Sequence, residues 1–179
     1  MSIDEQQRAR FDALLCQQLQ RSDLSGNAVN VAVYFPIRAE PDLSACFAGW
    51  RAEGRRLALP VIDEATKSLR FQAWDEDTAL VPGPFGAATP PPDAEVLIPD
   101  LMLIPCVGFW VVDGKPFRLG YGGGFYDRTL AARSCRTIGV AYDQAETGSF
   151  TLSSWDVPLG AVVTPSRCIV AMASPELKR

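Results

Sequence analysis

A glycine-rich run past the middle of the chain has the residue types best suited to binding chemistry. Four of the five residues from 120 to 124 are glycine, and the run lies between Arg118 and the tripeptide Tyr126-Asp127-Arg128. Without Cβ atoms the backbone can approach a ligand closely and present successive N–H groups, and a helix that starts there adds positive potential. This combination is typical of a phosphate-binding turn. The arginines are candidate partners of phosphate, and Asp127 is a candidate ligand of a Mg²⁺ ion that bridges phosphate oxygens.

The same run has a simpler interpretation as a tight or flexible turn with ordinary flanking charges. It lacks the Gly-Lys-Ser/Thr ending of a Walker A loop, and Phe125 occupies the third glycine position of a GxGxxG fingerprint. Glycine content alone therefore favours neither interpretation. The strand-like sequence before the run and the helix-like sequence after it favour phosphate binding.

The chain has no histidine, which excludes several classes of site. A Ser-His-Asp or Cys-His nucleophile system cannot form within it, nor can a zinc site with histidine ligands. The five cysteines are Cys16, Cys46, Cys106, Cys135 and Cys168. They are dispersed without a CxxC pair, so we expect buried free thiols in a reducing compartment.

Hydrophobic spacing predicts the elements that must position these residues. Helical spacing predicts helices at 4–20, 42–53 and 125–133. Apolar or alternating runs predict strands at 29–35, 57–62, 68–74, 101–107, 138–142, 161–164 and 169–172. Two further strands, at 109–112 and 115–119, are predicted to form a hairpin. Six prolines between residues 81 and 99 predict a long loop.

Helices that alternate with short apolar strands predict an α/β protein whose sheet is covered by helices. The length of 179 residues predicts one domain over 1–179, and 47% hydrophobic residues are enough for a core.

Charge and hydropathy limit the partners that we expect. A net charge of −4 gives no general attraction to nucleic acid or to an anionic membrane. The longest apolar stretch, 101–112, contains Pro105 and Gly108 and is shorter than the roughly 20 residues of a membrane span. The first residues lack the pattern of a secretory signal, so we expect a cytoplasmic protein.

The stretch from Ile104 to Leu130 resembles the signature of the 5-formyltetrahydrofolate cyclo-ligase (methenyltetrahydrofolate synthetase) family. The family's pattern ends in Arg-Leu-Gly-Tyr-Gly-Gly-Gly-(Tyr/Phe)-Tyr-Asp-Arg, and residues 118–128 match it throughout. The similarity extends over most of the chain, including the strand before Glu40. It implies a three-layer α/β/α fold with a central, mostly parallel sheet, the NagB/RpiA/CoA transferase-like architecture.

The resemblance also implies an ATP-dependent ring closure. ATP phosphorylates the formyl oxygen of 5-formyltetrahydrofolate, and nitrogen 10 of the folate attacks the activated carbon. Loss of phosphate then gives 5,10-methenyltetrahydrofolate, ADP and phosphate. This chemistry needs no histidine, but it needs aligned reactants, neutralised phosphate charge and Mg²⁺. The implied partners are ATP and a reduced folate, bound by a monomer.

The resemblance assigns roles to individual residues. The implied ATP-binding residues are Arg8, Arg118, Gly120, Tyr121, Gly122, Gly123, Gly124, Phe125, Tyr126, Asp127 and Arg128. The implied catalytic residues are Arg118, Tyr126 and Asp127, with Asp127 near the Mg²⁺. The implied folate contacts are Glu40, which would hydrogen-bond the pterin, and the aromatic residues Phe85, Trp110 and Tyr126.

Each of these residues also has a structural alternative. Glu40 could be a solvated loop acid, and the three aromatic residues could be ordinary packing groups. Asp127 could cap the helix or pair with Arg128. Arg118 and Asp127 are both expected on a solvent-accessible loop.

The chain departs from the family's pattern at several polar positions. The family's N-terminal helix carries a lysine that reaches ATP, whereas this helix offers arginine, with Arg8 as the candidate. Thr89 stands in place of a glutamate, Trp155 of a histidine, Gly160 of an aspartate and Pro165 of a glutamate. A second function therefore stays open, a weakly active or non-catalytic member that binds folate or nucleotide. A third, a sugar-phosphate enzyme, rests on fold analogy alone.

Overall fold

A computed structural model describes residues 3–148 and 150–172 of the protein. The α-helices in this part of the chain are α1 (Glu5–Arg21), α2 (Ser44–Ala52) and α3 (Phe125–Ala132), and short 3-10 helices lie at Pro84–Gly86 and Asp143–Ala145. The strands are β1 (Asn30–Ala32), β2 (Arg56–Asp63), β3 (Ser68–Trp74), β4 (Val81–Pro82), β5 (Ala88–Thr89), β6 (Val96–Leu97), β7 (Leu101–Pro105), β8 (Gly108–Val112), β9 (Lys115–Leu119), β10 (Arg136–Val140), β11 (Ala161–Val163) and β12 (Cys168–Val170). The predicted helices and strands are confirmed, with ends that differ by a few residues.

An eight-stranded sheet crosses the molecule in the order β12-β11-β10-β7-β1-β2-β3-β6. The central strands β11, β10, β7, β1 and β2 are parallel, whereas β12, β3 and β6 pair antiparallel at the two edges. The expected mostly parallel sheet is therefore confirmed. Because the central strands are parallel, their carboxyl ends lie at one edge of the sheet.

The central strand β7 is covered on both faces. Leu101 and Leu103 pack in the cluster that includes the buried residues of α1 and α2, whereas Met102 and Ile104 pack in the cluster against which α3 lies. Successive side chains of a strand point to opposite faces, so a strand covered twice is apolar at every position. The helices and the sheet thus form the expected α/β/α layers, with the β8–β9 hairpin on the side of α3.

The order of the strands creates a crevice at the carboxyl edge. From β1 the chain passes through α2 to β2, the neighbour of β1 on one side in the sheet. The neighbour of β1 on the other side is β7, from which the chain passes through α3 to β10, further away from β1. Ligands of open α/β sheets bind where connections leave neighbouring strands in opposite directions. Two segments flank this point, residues 33–43 after β1 and residues 106–107 after β7.

The helix α1 covers one end of this crevice. It starts at Asp4, whose carboxylate accepts a hydrogen bond from the Gln7 amide at 2.8 Å. Its buried residues Leu15 and Leu19 anchor it to the sheet. None of the helices in the described ranges has the length and apolar character needed to cross a bilayer.

The cysteines differ from the sequence expectation. Cys16 of α1 and Cys46 of α2 form a disulfide, with their Cα atoms 5.8 Å apart. The expectation of free thiols is therefore wrong for these two residues, because their helices pack side by side on the same face of the sheet. The free thiols among the described residues are Cys106, which is buried as expected, Cys135, which is half-buried, and Cys168, which is exposed, so the expectation of burial is wrong for Cys168.

The proline-rich segment from 81 to 99 contains short strands as well as loop. β4 pairs with β5, and β6 joins the edge of the main sheet beside β3. Phe85, between β4 and β5, has the left-handed backbone angle φ of 59°. The single long loop that the prolines predict is thus divided into shorter connections.

One hydroxyl joins α3 to the sheet. The Thr129 hydroxyl donates to the Phe125 carbonyl at 2.7 Å and accepts from the Leu69 amide of β3 at 2.8 Å. Thr129 and Leu69 are both buried, so water cannot replace the Thr129 hydroxyl as the hydrogen-bond acceptor of the Leu69 amide.

We predict that Thr129→Val lowers the free energy of unfolding by about 1–3 kcal/mol, because the Leu69 N–H would be buried without an acceptor. Urea unfolding followed by circular dichroism measures this change. Thr129→Ser keeps the hydroxyl and is the matched control, with a smaller expected loss. An equal loss in both variants would contradict the role of this hydrogen bond.

Candidate active site

The glycine-rich turn, residues 120–124, meets the segment after β1 at the carboxyl edge. The Tyr121 hydroxyl donates to the Ile37 carbonyl at 3.4 Å, and the Arg38 guanidinium lies 4.7 Å from the centre of the Tyr121 ring. The turn follows β9, which is held beside the end of β7 through the Val107 amide and the Leu119 carbonyl. Two segments that are distant in the sequence therefore line one crevice.

The backbone of the turn requires glycine at two positions. Gly122 and Gly124 have positive φ angles of 85° and 64°, which a residue with a Cβ adopts only with strain. Gly124 is the N-cap residue of α3, and no side chain among the described residues caps that helix. The first amides of α3 thus have no partner from a cap and are available to an anion.

Arg118 lies at the centre of the site. One of its terminal nitrogens, Nη2, donates to Asp127 Oδ2 at 3.1 Å, and its guanidinium lies 4.9 Å from the centre of the Tyr126 ring. The Arg118 side chain is only 7% exposed. Its Nε is buried and has no hydrogen-bond partner among the described residues. A buried guanidinium N–H in this state is suited to an anionic acceptor.

This geometry corrects two expectations. Arg118 and Asp127 were both expected on an exposed loop, but Arg118 lies within β9 and Asp127 in the first turn of α3. The glycine-rich turn reverses the chain, so the end of the strand and the start of the helix lie side by side. Asp127 consequently pairs with Arg118 rather than with Arg128.

Arg128 contacts the backbone around it. Its Nε donates to the Lys67 carbonyl and its Nη2 to the Gly123 carbonyl, both at 2.6 Å. Its guanidinium also lies 5.4 Å from the centre of the Phe125 ring. Arg128 therefore fastens the glycine-rich turn to the connection between β2 and β3, and its position beside the turn is fixed by these contacts.

Glu40 is buried rather than solvated. Glu40 is only 6% exposed, and its Oε2 accepts a hydrogen bond from the Ile37 amide at 3.0 Å. Burial raises the pKa of the Glu40 carboxyl, while the Ile37 hydrogen bond and the positive charge of Arg118 act in the opposite direction. Glu40 and Arg118 thus lie close enough for their charges to interact across the crevice.

Sequence reasoning did not single out two buried residues near the ends of central strands at this edge of the sheet, Tyr34 and Cys106. Cys106 directly follows β7, and Tyr34 lies two residues after the end of β1, so their position at strand ends is the signal that could have found them. Burial raises the pKa of Tyr34, and it raises the pKa of Cys106 to about 12. The positive charge of Arg118 lowers the pKa of Cys106 and the negative charge of Glu40 raises it, and both effects are smaller than that of burial.

The aromatic candidates are placed differently. Phe85 is 77% exposed, and its ring centre lies 6.3 Å from that of Phe125 beside the glycine-rich turn. Tyr126 lies against Arg118, and burial raises its pKa well above the usual value for tyrosine. Both residues are therefore at the crevice.

Trp110 is not brought to the crevice with Arg118. It pairs with Phe117 across the β8–β9 hairpin, with ring centres 6.0 Å apart, whereas Phe109 pairs with Arg118. Neighbouring residues of a strand point to opposite faces, so Trp110 and Arg118 lie on different faces of the hairpin. The Trp110 ring packs instead against Phe117 and, at 5.4 Å, against Phe150.

Arg8 contacts the segment that carries Glu40. Its Nη2 donates to the Glu40 carbonyl oxygen at 2.6 Å. Among the described residues, no group of three or more His, Cys, Asp or Glu side chains could hold a metal ion.

The sequence profile of the 5-formyltetrahydrofolate cyclo-ligase family matches residues 1–165 of the chain. The protein belongs to the 5-formyltetrahydrofolate cyclo-ligase family. The resemblance seen at residues 118–128 is thereby confirmed.

Relatives in the cyclo-ligase family match most of the chain. The 5-formyltetrahydrofolate cyclo-ligase of Haemophilus influenzae is 34% identical over 140 residues, which cover 74% of this chain and 73% of that protein. The one from Mycolicibacterium smegmatis is 36% identical over 165 residues, covering 85% and 83%. The solved structure of Aquifex aeolicus 5,10-methenyltetrahydrofolate synthetase superposes with a TM-score of 0.81 at 25% identity, covering 98% of this chain and 89% of that one. The expected cyclo-ligase architecture is therefore confirmed.

Burial of Glu40 predicts a pH dependence for this cyclo-ligase family member. Because the Glu40 pKa is raised, the folded protein binds this proton more tightly than the unfolded chain. The free energy of unfolding therefore falls as the pH rises from the ordinary glutamate pKa to the raised one. Glu40→Gln keeps an oxygen for the Ile37 amide and removes the charge, so we expect a smaller fall.

Urea unfolding at a series of pH values across that range measures the difference. Asp93→Asn removes a carboxylate from an exposed position and is the control, with an unchanged pH dependence expected. If Glu40→Gln retained the full pH dependence of the wild-type protein, the carboxyl of Glu40 would not be its source.

Proposed function

We propose that the protein catalyses the ATP-dependent cyclisation of 5-formyltetrahydrofolate to 5,10-methenyltetrahydrofolate, with release of ADP and phosphate. Family membership supports this reaction. The observation that carries it is the position of Arg118, a buried guanidinium with an unpartnered Nε among the described residues, between Glu40 and the first turn of α3.

The glycine-rich turn and the start of α3 form the proposed nucleotide side of the site. Tyr121, Gly122 and Gly123 are exposed, so the backbone there is open to a ligand. Amides at a helix N-terminus favour phosphate oxygens, and Arg118 adds a positive charge with directed N–H groups. We assign the ATP phosphates to this side.

Glu40 forms the proposed folate side. Its Oε2 already accepts the Ile37 amide, and a carboxylate retains capacity to accept from the N–H and amino groups of a pterin. Phe85 and Tyr126 supply aromatic surface next to the glycine-rich turn. A pterin bound at Glu40 would thus lie in the same crevice as Arg118.

The residues between the two sides fit phosphoryl transfer. Such a reaction depends on aligning the reactants and on stabilising charge on the phosphoryl oxygens. Arg118 is suited to that role because its charge is already desolvated and held by Asp127 and the Tyr126 ring.

The residues present fit a Mg²⁺ ion that is bound together with ATP. Magnesium is commonly held by one or two carboxylates and by substrate phosphates, and Asp127 is the carboxylate next to the proposed phosphate side. Bound there, Mg²⁺ would neutralise phosphate charge. We also propose a cytoplasmic monomer with no nucleic-acid or membrane partner; the Cys16–Cys46 disulfide counts against a reducing compartment.

The near-ultraviolet absorbance of the methenyl product tests the reaction. Purified protein is mixed with Mg²⁺ and 5-formyltetrahydrofolate, with ATP or without it. We expect an increase that requires ATP. Binding of the folate or the nucleotide by calorimetry without any such increase would instead support a non-catalytic member of the family.

We predict that Arg118→Lys lowers kcat about 100-fold. Lysine keeps the positive charge, but it lacks the guanidinium group, which can bind Asp127 through Nη2 and a phosphoryl oxygen through Nε at the same time. Steady-state kinetics measure the loss, and circular dichroism checks the fold. Arg133→Lys makes the same change at an exposed position and should match the wild-type protein. Wild-type kinetics in Arg118→Lys would remove Arg118 from the site.

We predict that Gly124→Ala weakens ATP binding about fivefold, because a Cβ disfavours the positive φ, the turn of the free protein relaxes away from it, and ATP binding must restore it at a cost of ~1 kcal/mol. The new Cβ would also lie 2.7 Å from Arg128 Nη1. Calorimetric titration with ATP measures the affinity. Gly49→Ala in α2 adds a Cβ with nothing within 4 Å and no positive φ, so it serves as the control. Equal ATP affinity in the two variants would count against backbone binding of phosphate.

A further inference from the structure

Two side chains of α1 contact the segment that carries Glu40, one as a hydrogen-bond donor and the other as an acceptor. Arg8 and Asp12 are four residues apart and therefore lie on one face of the helix. Arg8 donates to carbonyl groups of residues 37–42, and Asp12 accepts from an amide of the same segment. This pair, Arg8 and Asp12, is called the α1 clamp below.

Arg8 holds the segment on both sides of Ala39. Its Nη2 donates to the Glu40 carbonyl at 2.6 Å, and both Nη1 and Nη2 lie 3.3 Å from the Arg38 carbonyl. A planar guanidinium that contacts two carbonyl groups fixes their relative position, which a single charged point would not do. The backbone of Glu40 is thus bonded directly to α1.

Asp12 connects the same segment to the end of β10. Its Oδ1 accepts the Asp42 amide at 3.1 Å and the Tyr142 hydroxyl at 2.7 Å. Tyr142 follows β10 and is buried. Asp12 therefore joins three parts of the carboxyl edge, namely α1, the segment after β1 and Tyr142, two residues after β10.

The segment needs such support because it has no regular structure of its own. Residues 33–43 contain neither strand nor helix. Arg38 has a φ angle of 55°, a left-handed conformation that persists only when its surroundings hold it. The carbonyl of this strained residue is one of the two that Arg8 contacts.

We infer that the α1 clamp positions Glu40 and thereby sets the affinity for the reduced folate, not for ATP. The inference rests on the proposed function, because it takes Glu40 as the group that binds the pterin. It reassigns Arg8, which the family resemblance placed at the ATP phosphates, to the folate side. Arg8 and Asp12 are positioning residues, since they act through the Glu40 backbone.

Steady-state kinetics with both substrates varied test the clamp. For Arg8→Ala and Asp12→Ala we expect the KM for 5-formyltetrahydrofolate to rise about tenfold, with the KM for ATP changed less than about twofold. Asp12→Asn keeps the accepting oxygen and should restore the folate KM. Arg10→Ala removes the same charge from an exposed position of the same helix and should leave both KM values unchanged.

Amide hydrogen exchange provides a readout that does not depend on turnover. Exchange at residues 37–42 should be faster in Arg8→Ala and Asp12→Ala than in Arg10→Ala, because the clamp no longer holds that backbone. A rise in the KM for ATP instead of the folate would return Arg8 to the phosphate side and overturn the inference. Unchanged folate KM in both clamp variants would also overturn it.

The outcomes separate the clamp from the proposed function. Wild-type protein that neither binds 5-formyltetrahydrofolate nor converts it would overturn the proposed function, whatever the exchange data show. Active wild-type protein with normal folate KM in the clamp variants would overturn the clamp alone.

Discussion

The desolvated guanidinium of Arg118 is the constraint on which the rest of the site depends. A charge taken out of water is costly unless other groups compensate it. Asp127 and the Tyr126 ring do so in part, and both are available only because the glycine-rich turn brings the start of α3 back beside β9. One N–H of this guanidinium stays without a partner among the described residues. The group that is costly to bury is therefore also one that retains an N–H suited to an anionic acceptor.

The sheet places the other half of the site opposite this charge. The connections after β1 and β7 leave in opposite directions, which opens the crevice and puts Glu40 on one of its walls. That wall is an irregular segment, so its shape comes from contacts with α1 and with Tyr142 rather than from backbone ladders. The two walls thus differ in kind. One wall is a turn whose backbone conformation requires glycine, and the other is a loop held in place by side chains of α1 and by Tyr142.

Hydrophobic spacing along the chain predicted single strands and helices correctly, because that spacing depends only on residues within one element. The continuous apolar run of β7 and the alternation of 68–74 predicted strands that the structure contains. Predictions about the surroundings of single residues were less successful. The disulfide between Cys16 and Cys46, the burial of Arg118 and the position of Trp110 on the other face of the hairpin each depend on which elements pack together. Spacing along the chain carries no information about that packing.

The family, the α/β class and the glycine-rich turn can be read from the chain alone, because the signature at 118–128 is contiguous and its residue types act within one turn. The pairing of Asp127 with Arg118, the burial of Glu40 and the contact of Arg8 with the Glu40 backbone arise only in the folded molecule. The reason is physical. Desolvation and hydrogen bonding between segments far apart in the chain depend on how the layers pack, and packing follows from the whole set of apolar contacts rather than from any one stretch.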